Sequence, residues 1–174
     1  MQPFQRLLII GPPGAGKSTL GARLAEDAGV PIVHLDSLFW SEGWKERPDD
    51  EFRVDLEQAL AGERWVIEGM FWKTLEERMG YADLLLYLDF STALCMRRVL
   101  KRIISGYGRT RADMADGCPE QFDFEFLRYV FDFRKKIRPK VEEILARAAD
   151  RVGCEVLRFT KPKQLAAWLE ESSS

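Results

Sequence analysis

The chain has 174 residues, 46% of them hydrophobic, which suits one compact domain spanning 1–174 with a substantial core. Its longest apolar runs are far shorter than the ~20 residues of a membrane span, so we expect a soluble, cytoplasmic protein with no membrane partner. The formal net charge is only -2, which argues against a protein that coats nucleic acid with its whole surface.

The first predicted strand leads directly into a phosphate-binding motif. Residues 6–10 are mainly apolar, which is typical of a central parallel strand buried on both faces. Gly11, Gly16, Lys17 and Ser18 then satisfy the pattern G-x-x-x-x-G-K-[ST]. A Gly-rich turn with a solvated lysine is the alternative, but an apolar strand before the motif and helical spacing after it favour the phosphate loop.

The motif opens a helix predicted over about residues 17–28, so its backbone can bind an anion. The first N–H groups of a helix have no partner inside it, and the helix dipole favours negative charge there. Lys17 would place a charge on the outer phosphates, and the Ser18 hydroxyl would ligate the accompanying magnesium ion. The predicted phosphate-binding residues are Gly11, Gly14, Ala15, Gly16, Lys17, Ser18 and Thr19.

A second strand is predicted over about 30–35, and Asp36 follows its carboxyl end. Ligand groups gather at that edge of a parallel sheet, so Asp36 is a candidate to hold an acceptor hydroxyl or a magnesium-bound water. The alternative is a helix N-cap for a segment that starts at Ser37. Phe39 and Trp40 belong to an aromatic cluster that either closes over an acceptor or is plain core.

This acceptor segment, about residues 37–62, includes a predicted helix that ends near Gly62 and is capped by Asp49 or Asp50.

Two further predicted strands also end in acidic residues. The third, at 64–67, ends in Glu68 and Gly69, and the fourth, at 83–89, ends in Asp89. A carboxylate at a strand end near the phosphate loop can orient magnesium or water. By pattern alone, Asp36, Glu68 and Asp89 are equivalent candidates.

A helix predicted to start near Ser91 or Thr92 carries Arg98 and Arg102, which are four residues apart and share one face. A glycine-punctuated polar loop with Arg109 and Arg111 follows. We interpret this loop, about residues 105–122 and called the lid loop below, as a lid that excludes water and neutralises the charge of a transferring phosphoryl group. A mobile solvated loop is the alternative.

Strands and helices alternate to the end of the chain. A helical pattern over about 123–149 must kink or restart at Pro139, and a fifth strand is predicted at 154–159. A last amphipathic helix follows it. Five strand–helix alternations with long crossovers predict a three-layer α/β fold with a parallel sheet.

Together these motifs resemble the adenylate-kinase-like group of P-loop kinases along nearly the whole chain. That resemblance implies a five-stranded parallel sheet of order 2-3-1-4-5. More narrowly, the stretches H-L-D-S-L-F-W at 34–40, W-V-I-E-G at 65–69 and T-R-A-D-M-A-D-G-C-P-E-Q-F-D at 110–123 look like bacterial proteins labelled DNA topology modulation protein. The related proteins usually carry Asp-Gly where this chain has Glu68-Gly69, and a lid with Cys118 alone lacks a four-ligand zinc site.

The resemblance also implies residue roles. It places ATP phosphates on residues 11–19, favours Glu68 over Asp89 for the metal, and matches the turn Lys161-Pro162 to adenine recognition. The implied catalytic residues are Lys17, Arg98, Arg102, Arg109 and Arg111. The implied acceptor site is Asp36, Phe39, Trp40, Glu68 and Gly69, and the candidate metal ligands are Ser18, Glu68 and Asp36.

The leading hypothesis is therefore an ATP- and Mg2+-dependent kinase that phosphorylates a small molecule, conceivably a nucleotide. The alternative is a nucleotide-gated regulatory or DNA-binding protein with weak or no ATPase activity. It is motivated by the basic excess of residues 97–140, which contain 12 Lys and Arg against 6 Asp and Glu, and by the narrower resemblance. The sequence leaves the acceptor and the oligomeric state open.

Overall fold

A computed structural model of the chain describes residues 4–148 and 153–172. Within them, five parallel strands form one sheet in the order β2-β5-β1-β6-β7. The strands are β1 (Arg6–Ile10), β2 (Ile32–His34), β5 (Trp65–Glu68), β6 (Leu84–Leu88) and β7 (Glu155–Phe159). When only these strands are counted in chain order, the arrangement is 2-3-1-4-5, which confirms the predicted topology.

A small antiparallel hairpin was not predicted. It consists of β3 (Trp40–Ser41) and β4 (Lys45–Glu46) and lies apart from the main sheet. Each of its strands has only two residues, which is too short for an alternating apolar pattern to be visible in the sequence.

Helices connect the strands and cover the sheet. They are α1 (Lys17–Ala28), α2 (Leu35–Phe39), α3 (Asp49–Leu60), α4 (Leu75–Met79), α5 (Thr92–Gly106), α6 (Phe124–Lys136), α7 (Arg138–Ala148) and α8 (Pro162–Ser172), with a 3-10 turn at Trp72–Thr74 before α4. In the described ranges, none of these helices has the combined length and apolarity needed to cross a bilayer.

The central strand explains why the sheet has a layer of helices on each face. All four residues 7–10 of β1 are fully buried, and alternate side chains point to opposite faces of the sheet. Leu7 and Ile9 pack in a cluster with apolar residues of α1, α5 and α8. Leu8 and Ile10 pack in another with residues of α3, α4 and α7. The result is the predicted three-layer α/β fold.

Several predicted helix boundaries are confirmed by their end geometry. Gly29 ends α1 in the left-handed conformation, with φ 63°. Ser91 caps α5 by accepting a hydrogen bond from the Leu94 amide. The helical pattern after the lid loop breaks at Ile137, so Pro139 lies in the first turn of a restarted helix, α7, where its missing N–H is tolerated. Residue 149 lies outside the described ranges.

Two local predictions were wrong. The second strand ends at His34, because Leu35 turns into α2 and is fully buried in the core. Asp36 therefore lies inside the first turn of α2, and the N-cap position belongs to His34, so Asp36 is not the cap of a helix that starts at Ser37.

The start of α3 also differs from its prediction. Its N-cap is Pro48, and no side chain caps it. Asp49 and Asp50 instead lie in the first turn, where their carboxylates favour the positive end of the helix dipole.

Asp89, which follows β6, is a structural residue. It is 2% exposed and accepts hydrogen bonds from Arg138 Nε at 3.2 Å and Arg158 Nε at 3.0 Å. Arg158 also pairs with Glu142. Asp89 thus ties the end of β6 to α7 and β7.

We predict that Asp89→Asn destabilises the fold. Removing this buried negative charge leaves Glu142 as the remaining carboxylate partner of both guanidinium groups, and because both arginines are partly exposed we expect a loss of about 2 kcal/mol in the free energy of unfolding. Urea unfolding measures this loss, with Asp116→Asn at an exposed position as the control. An unchanged urea midpoint for Asp89→Asn would contradict the assignment.

Candidate active site

The phosphate loop between β1 and α1 is shaped by close backbone packing. Gly14 has φ +79°, and a Cβ added there would lie 2.5 Å from the Cys95 carbonyl oxygen and 2.9 Å from Val99 Cγ2. Both neighbours belong to α5. The loop therefore rests against α5 at a point where no side chain fits, and this contact sets the path of the backbone around its ligand space.

The loop presents backbone donors as expected, with one exception. The first helical hydrogen bond of α1 runs from the Leu20 amide to the Gly16 carbonyl at 3.0 Å, so the amides of residues 17–19 have no acceptor inside the helix. Ala15 differs, because its amide already donates to the Pro12 carbonyl at 3.1 Å. Lys17 lines the cleft beside the loop, and its Nζ donates to the same Pro12 carbonyl at 3.4 Å.

Two arginines of α5 line the cleft but have different partners. Arg98 Nη1 donates to the carbonyls of Gly14 at 3.4 Å and Ala15 at 3.0 Å, which places its guanidinium against the phosphate loop. Arg102 Nε lies 2.9 Å from Glu120 Oε1 in an ion pair. The predicted shared face is therefore confirmed, with Arg98 directed to the phosphate loop and Arg102 to the lid loop.

The lid loop brings Arg111 into the cleft and leaves Arg109 outside it. Arg111 Nε lies 2.6 Å from Glu120 Oε1, and its Nη1 lies 2.6 Å from Asp113 Oδ2. Arg109 is exposed and is not among the cleft-lining residues. Only one of the two predicted lid arginines therefore faces the phosphate loop.

The lid loop lies closed on the hairpin of the acceptor segment. The Gly43 amide donates to the Gly117 carbonyl at 2.9 Å, and Trp44 Nε1 donates to the Pro119 carbonyl at 3.0 Å. The Cys118 thiol donates to the Ser41 carbonyl at 3.2 Å. Through these contacts the lid loop covers the cleft.

Glu68, at the end of β5, is in direct contact with the phosphate loop. It is 1% exposed, and its Oε1 accepts a hydrogen bond from Ser18 Oγ at 2.9 Å. His34 Nδ1 lies 2.8 Å from the same oxygen. Of the predicted metal ligands, Ser18 and Glu68 are thus brought together.

The electrostatics of this region follow from burial and close charges. Burial acts to lower the pKa of His34, but the hydrogen bond and charge of Glu68 outweigh it and leave the pKa above its ordinary value. Burial acts to raise the pKa of Asp113, and the charge of Arg111 with a hydrogen bond from Ser18 outweighs it, so that this pKa is lowered.

Asp36 also lines the cleft. Its pKa is raised, mainly by burial and also by the charge of Glu68, against the lowering effect of Lys17. A carboxylate of raised basicity beside a phosphate loop is suited to accept a proton from a hydroxyl group.

Three aromatic residues of the acceptor segment and Phe71 form an aromatic wall in the cleft. Phe39 packs edge-on against Trp40 with ring centroids 5.0 Å apart and at the same centroid distance from Phe71. Trp40 in turn contacts Trp44 at 5.7 Å. All four rings line the cleft, although Phe39 also packs against core residues.

A buried arginine that the sequence analysis missed fixes the backbone after Glu68. Arg78 has no exposed surface, and its guanidinium donates to the carbonyls of Gly69 at 3.3 Å, Met70 at 3.0 Å and Phe71 at 3.0 Å. Burial lowers its pKa to about 9. Gly69 therefore serves this backbone turn, while Met70 and Phe71 line the cleft.

Of the two residues predicted to recognise adenine, Pro162 lines the cleft. The Lys161 side chain is exposed and does not line it. The Lys161 amide donates to Gln164 Oε1 at 3.0 Å, which closes the turn into α8.

His34 and Asp113 are the other residues that sequence reasoning missed. His34 lies two residues before Asp36, and Asp113 two residues after Arg111, so both had a visible signal in their spacing to a predicted site residue. The docking of the lid loop, which brings Asp113 to the phosphate loop, depends on contacts between distant segments. No signal in the sequence predicted this docking.

The cleft that these elements enclose has a volume of about 1460 Å³. Single-ligand pockets span roughly 300–1,000 Å³, so the cleft has room for a nucleotide and a second small molecule. Both the phosphate-loop residues and the aromatic wall line it.

Comparisons with known proteins agree with this geometry. No protein-family model matches the chain. The shikimate kinase of Rhodococcus jostii is 25% identical over 95% of this chain and 98% of its own length. The adenylate kinase of Kocuria rhizophila is 56% identical over 34 residues, a match that covers 20% of this chain and 18% of the relative.

A solved structure, the shikimate kinase from Acinetobacter baumannii in complex with shikimate, superposes with a TM-score of 0.61 at 17% identity. The match covers 99% of this chain and 96% of that one. The chain has the P-loop kinase fold, and its relatives support a phosphotransferase. None of these three proteins carries the DNA topology modulation label, so the narrower resemblance stays a prediction.

We predict that Gly14→Ala weakens ATP binding by at least about tenfold, or ~1.4 kcal/mol, because the added methyl group collides with the backbone of α5. Isothermal titration calorimetry measures this affinity. The matched control is Gly29→Ala, which has a similar positive φ but no atom within 4 Å of the added Cβ. That control should cost about 1 kcal/mol of stability and leave the ATP affinity unchanged. Equal ATP affinities in the two variants would contradict the packing argument.

Proposed function

We propose that the protein is an ATP-dependent kinase that transfers the γ-phosphoryl group to a hydroxyl of a small molecule. The proposal rests on one observation. Residues 17–19, whose amides have no acceptor inside the helix, and Asp36 all line the same cleft, which the lid loop covers. In phosphoryl transfer the protein contributes mainly positioning and charge compensation, and both are provided here.

The cationic groups have separate roles in this proposal. Lys17 binds the outer phosphates, and Arg98 braces the loop while its positive charge lies beside it. Arg111 is carried by the lid loop and neutralises charge that spreads over the transferring group. Arg102 positions the lid loop through Glu120. Arg109 is exposed in this arrangement, so we assign it no contact with the phosphates.

The residues beside the phosphate loop also fit a magnesium ion. Ser18 and Glu68 offer oxygen atoms, which magnesium prefers. Glu68 Oε2 is buried with no hydrogen-bond partner among the described residues, so a cation would satisfy it. When bound, magnesium would reduce the negative charge of the phosphate groups. Among the described residues, the ligand atoms that lie together belong to His34, Glu68 and Asp113, and Asp36 is outside this group.

Asp36 is then free to serve the acceptor. We assign it to the acceptor hydroxyl, which it orients and from which it accepts the proton. Phe39, Trp40 and Phe71 would pack on the body of the acceptor. The acceptor class is a small hydroxyl-bearing metabolite, and a nucleoside or nucleotide is one member of that class because its base stacks well on aromatic rings.

The DNA-binding alternative is not favoured. At least five of the twelve basic residues that motivated it are paired with acids: Arg102 and Arg111 with Glu120, Arg138 with Asp89, and both Arg128 and Lys136 with Asp132. Arg98 and Arg111 line the cleft. These pairs leave fewer free cations for a nucleic-acid backbone, which needs several.

We predict that Lys17→Ala lowers phosphoryl transfer by about 10²- to 10³-fold because a charge on the transferring phosphates is lost. A thermal-shift panel of hydroxyl metabolites and nucleosides with Mg2+ and a non-hydrolysable ATP analogue first finds the acceptor, since a ligand stabilises by mass action. Transfer from radiolabelled ATP to each hit then measures the rate.

The control for that experiment is Lys101→Ala, an exposed position outside the cleft lining. It should transfer at the wild-type rate. The proposal fails if the wild-type protein does not bind ATP, or if Lys17→Ala retains full activity with the best acceptor.

We predict that Asp36→Asn lowers the rate of transfer by about 10²- to 10⁴-fold, since the amide cannot accept the hydroxyl proton. The affinity for ATP should remain within about twofold of wild type, because Asp36 serves the acceptor. Steady-state kinetics with the acceptor and calorimetry with ATP separate the two effects. A loss of ATP affinity with an unchanged transfer rate would assign Asp36 to the nucleotide instead.

A further inference from the structure

The buried carboxylate of Glu68 is only half satisfied. Its Oε1 contacts both Ser18 Oγ and His34 Nδ1, at 2.9 and 2.8 Å. Its Oε2 is buried, and no hydrogen-bond partner for it occurs in the described ranges. A buried carboxylate oxygen without a donor or cation is costly, so such atoms in proteins generally have a partner.

A second carboxylate and an imidazole lie beside Glu68. His34, Glu68 and Asp113 each offer a ligand atom, and the three atoms lie within 4.8 Å of one another. They come from three separate elements: the end of β2, the end of β5 and the lid loop. The cluster is complete because the lid loop is closed.

The available hydrogen bonds satisfy this cluster only in part. The Ser18 hydroxyl lies within reach of both Glu68 and Asp113, but it has one proton and can donate to only one of them at a time. Arg111 reaches Asp113, and the same guanidinium is shared with Glu120. The carboxylate of Asp36 adds further negative charge to the same region.

We propose that His34, Glu68 and Asp113 bind a divalent metal ion with direct ligation by the imidazole, and that this site prefers Mn2+ to Mg2+. Carboxylate oxygens serve either ion, but imidazole nitrogen suits transition metals, whereas magnesium takes oxygen ligands and retains water. This inference deepens the proposed function by specifying the metal, but the binding itself requires no ATP turnover.

Asp113 gives the site a second property. Because this ligand belongs to the lid loop, the metal binds most tightly when the lid loop is closed. The bound metal in turn stabilises the closed arrangement by the same free energy, since such coupling is reciprocal.

The first test is a Mn2+ titration of the full chain after removal of metals with EDTA, in which the EPR signal of free Mn2+ gives the affinity. We expect one site per chain that binds Mn2+ at least about tenfold more tightly than Mg2+, which is measured by competition. His34→Asn and Asp113→Asn should each weaken Mn2+ binding by about tenfold or more. Asp116→Asn, an exposed acid of the same loop, should leave it unchanged.

His34→Asp tests selectivity separately from affinity. It replaces nitrogen with oxygen, so the ratio of Mg2+ to Mn2+ dissociation constants should fall by about tenfold or more. An unchanged ratio, or wild-type Mn2+ affinity in His34→Asn, would overturn the proposal.

A spectroscopic test covers the case in which a variant folds poorly. Electron spin echo envelope modulation of Mn2+ bound to the wild-type protein should show coupling to a ¹⁴N nucleus from the imidazole. If Mn2+ binds without nitrogen coupling, His34 only orients Glu68 and the proposal is wrong. Lys17→Ala would still lower transfer strongly in that case, so failure of the metal site and failure of the kinase assignment are distinguishable.

Discussion

The site depends on one steric constraint, the contact of the phosphate loop with its neighbours in the sheet and in α5. A Cβ added at Gly11 would lie 2.6 Å from the Leu88 carbonyl oxygen, and one at Gly14 would lie 2.5 Å from the Cys95 carbonyl oxygen. The chain between the buried strand and α1 therefore has no alternative path. Its amides are fixed at the carboxyl edge of the sheet, where the ends of β2 and β5 can reach the same ligand space.

Local patterns were enough to predict the elements that establish this constraint. The apolar run at 6–10, the glycines of the loop and the break at Pro139 each act on the chain within a few residues, so their signals are visible in the sequence. The turn of Leu35 into α2 and the closure of the lid loop are different, because both are determined by packing against segments far away in the chain. His34 and Asp113 enter the site through those long-range contacts, which is why their spacing alone was not sufficient.

The sequence pattern made three carboxylates at strand ends equivalent candidates to orient magnesium or water. The sheet topology distinguishes them. Glu68 is the last residue of β5, which lies next to β1, and therefore contacts the phosphate-loop hydroxyl of Ser18. Asp89 follows β6 on the other side of β1, where arginines from α7 and β7 neutralise it. Asp36 has moved into the first turn of α2 and faces the cleft. A carboxylate at a strand end thus serves the phosphate loop, the fold or the proposed acceptor, depending on its neighbours.

The closed lid loop is attached to the aromatic wall through Trp44. Trp44 has φ 61°, a left-handed conformation that costs a non-glycine residue about 1–2 kcal/mol. Its indole N–H donates to the Pro119 carbonyl of the lid loop, and its ring packs on Trp40 in the aromatic wall. The aromatic wall and the anchor of the lid loop therefore share one residue, Trp44. Since that loop also carries Arg111 and Asp113, the proposed acceptor site and the charged groups of the lid loop are joined through Trp44.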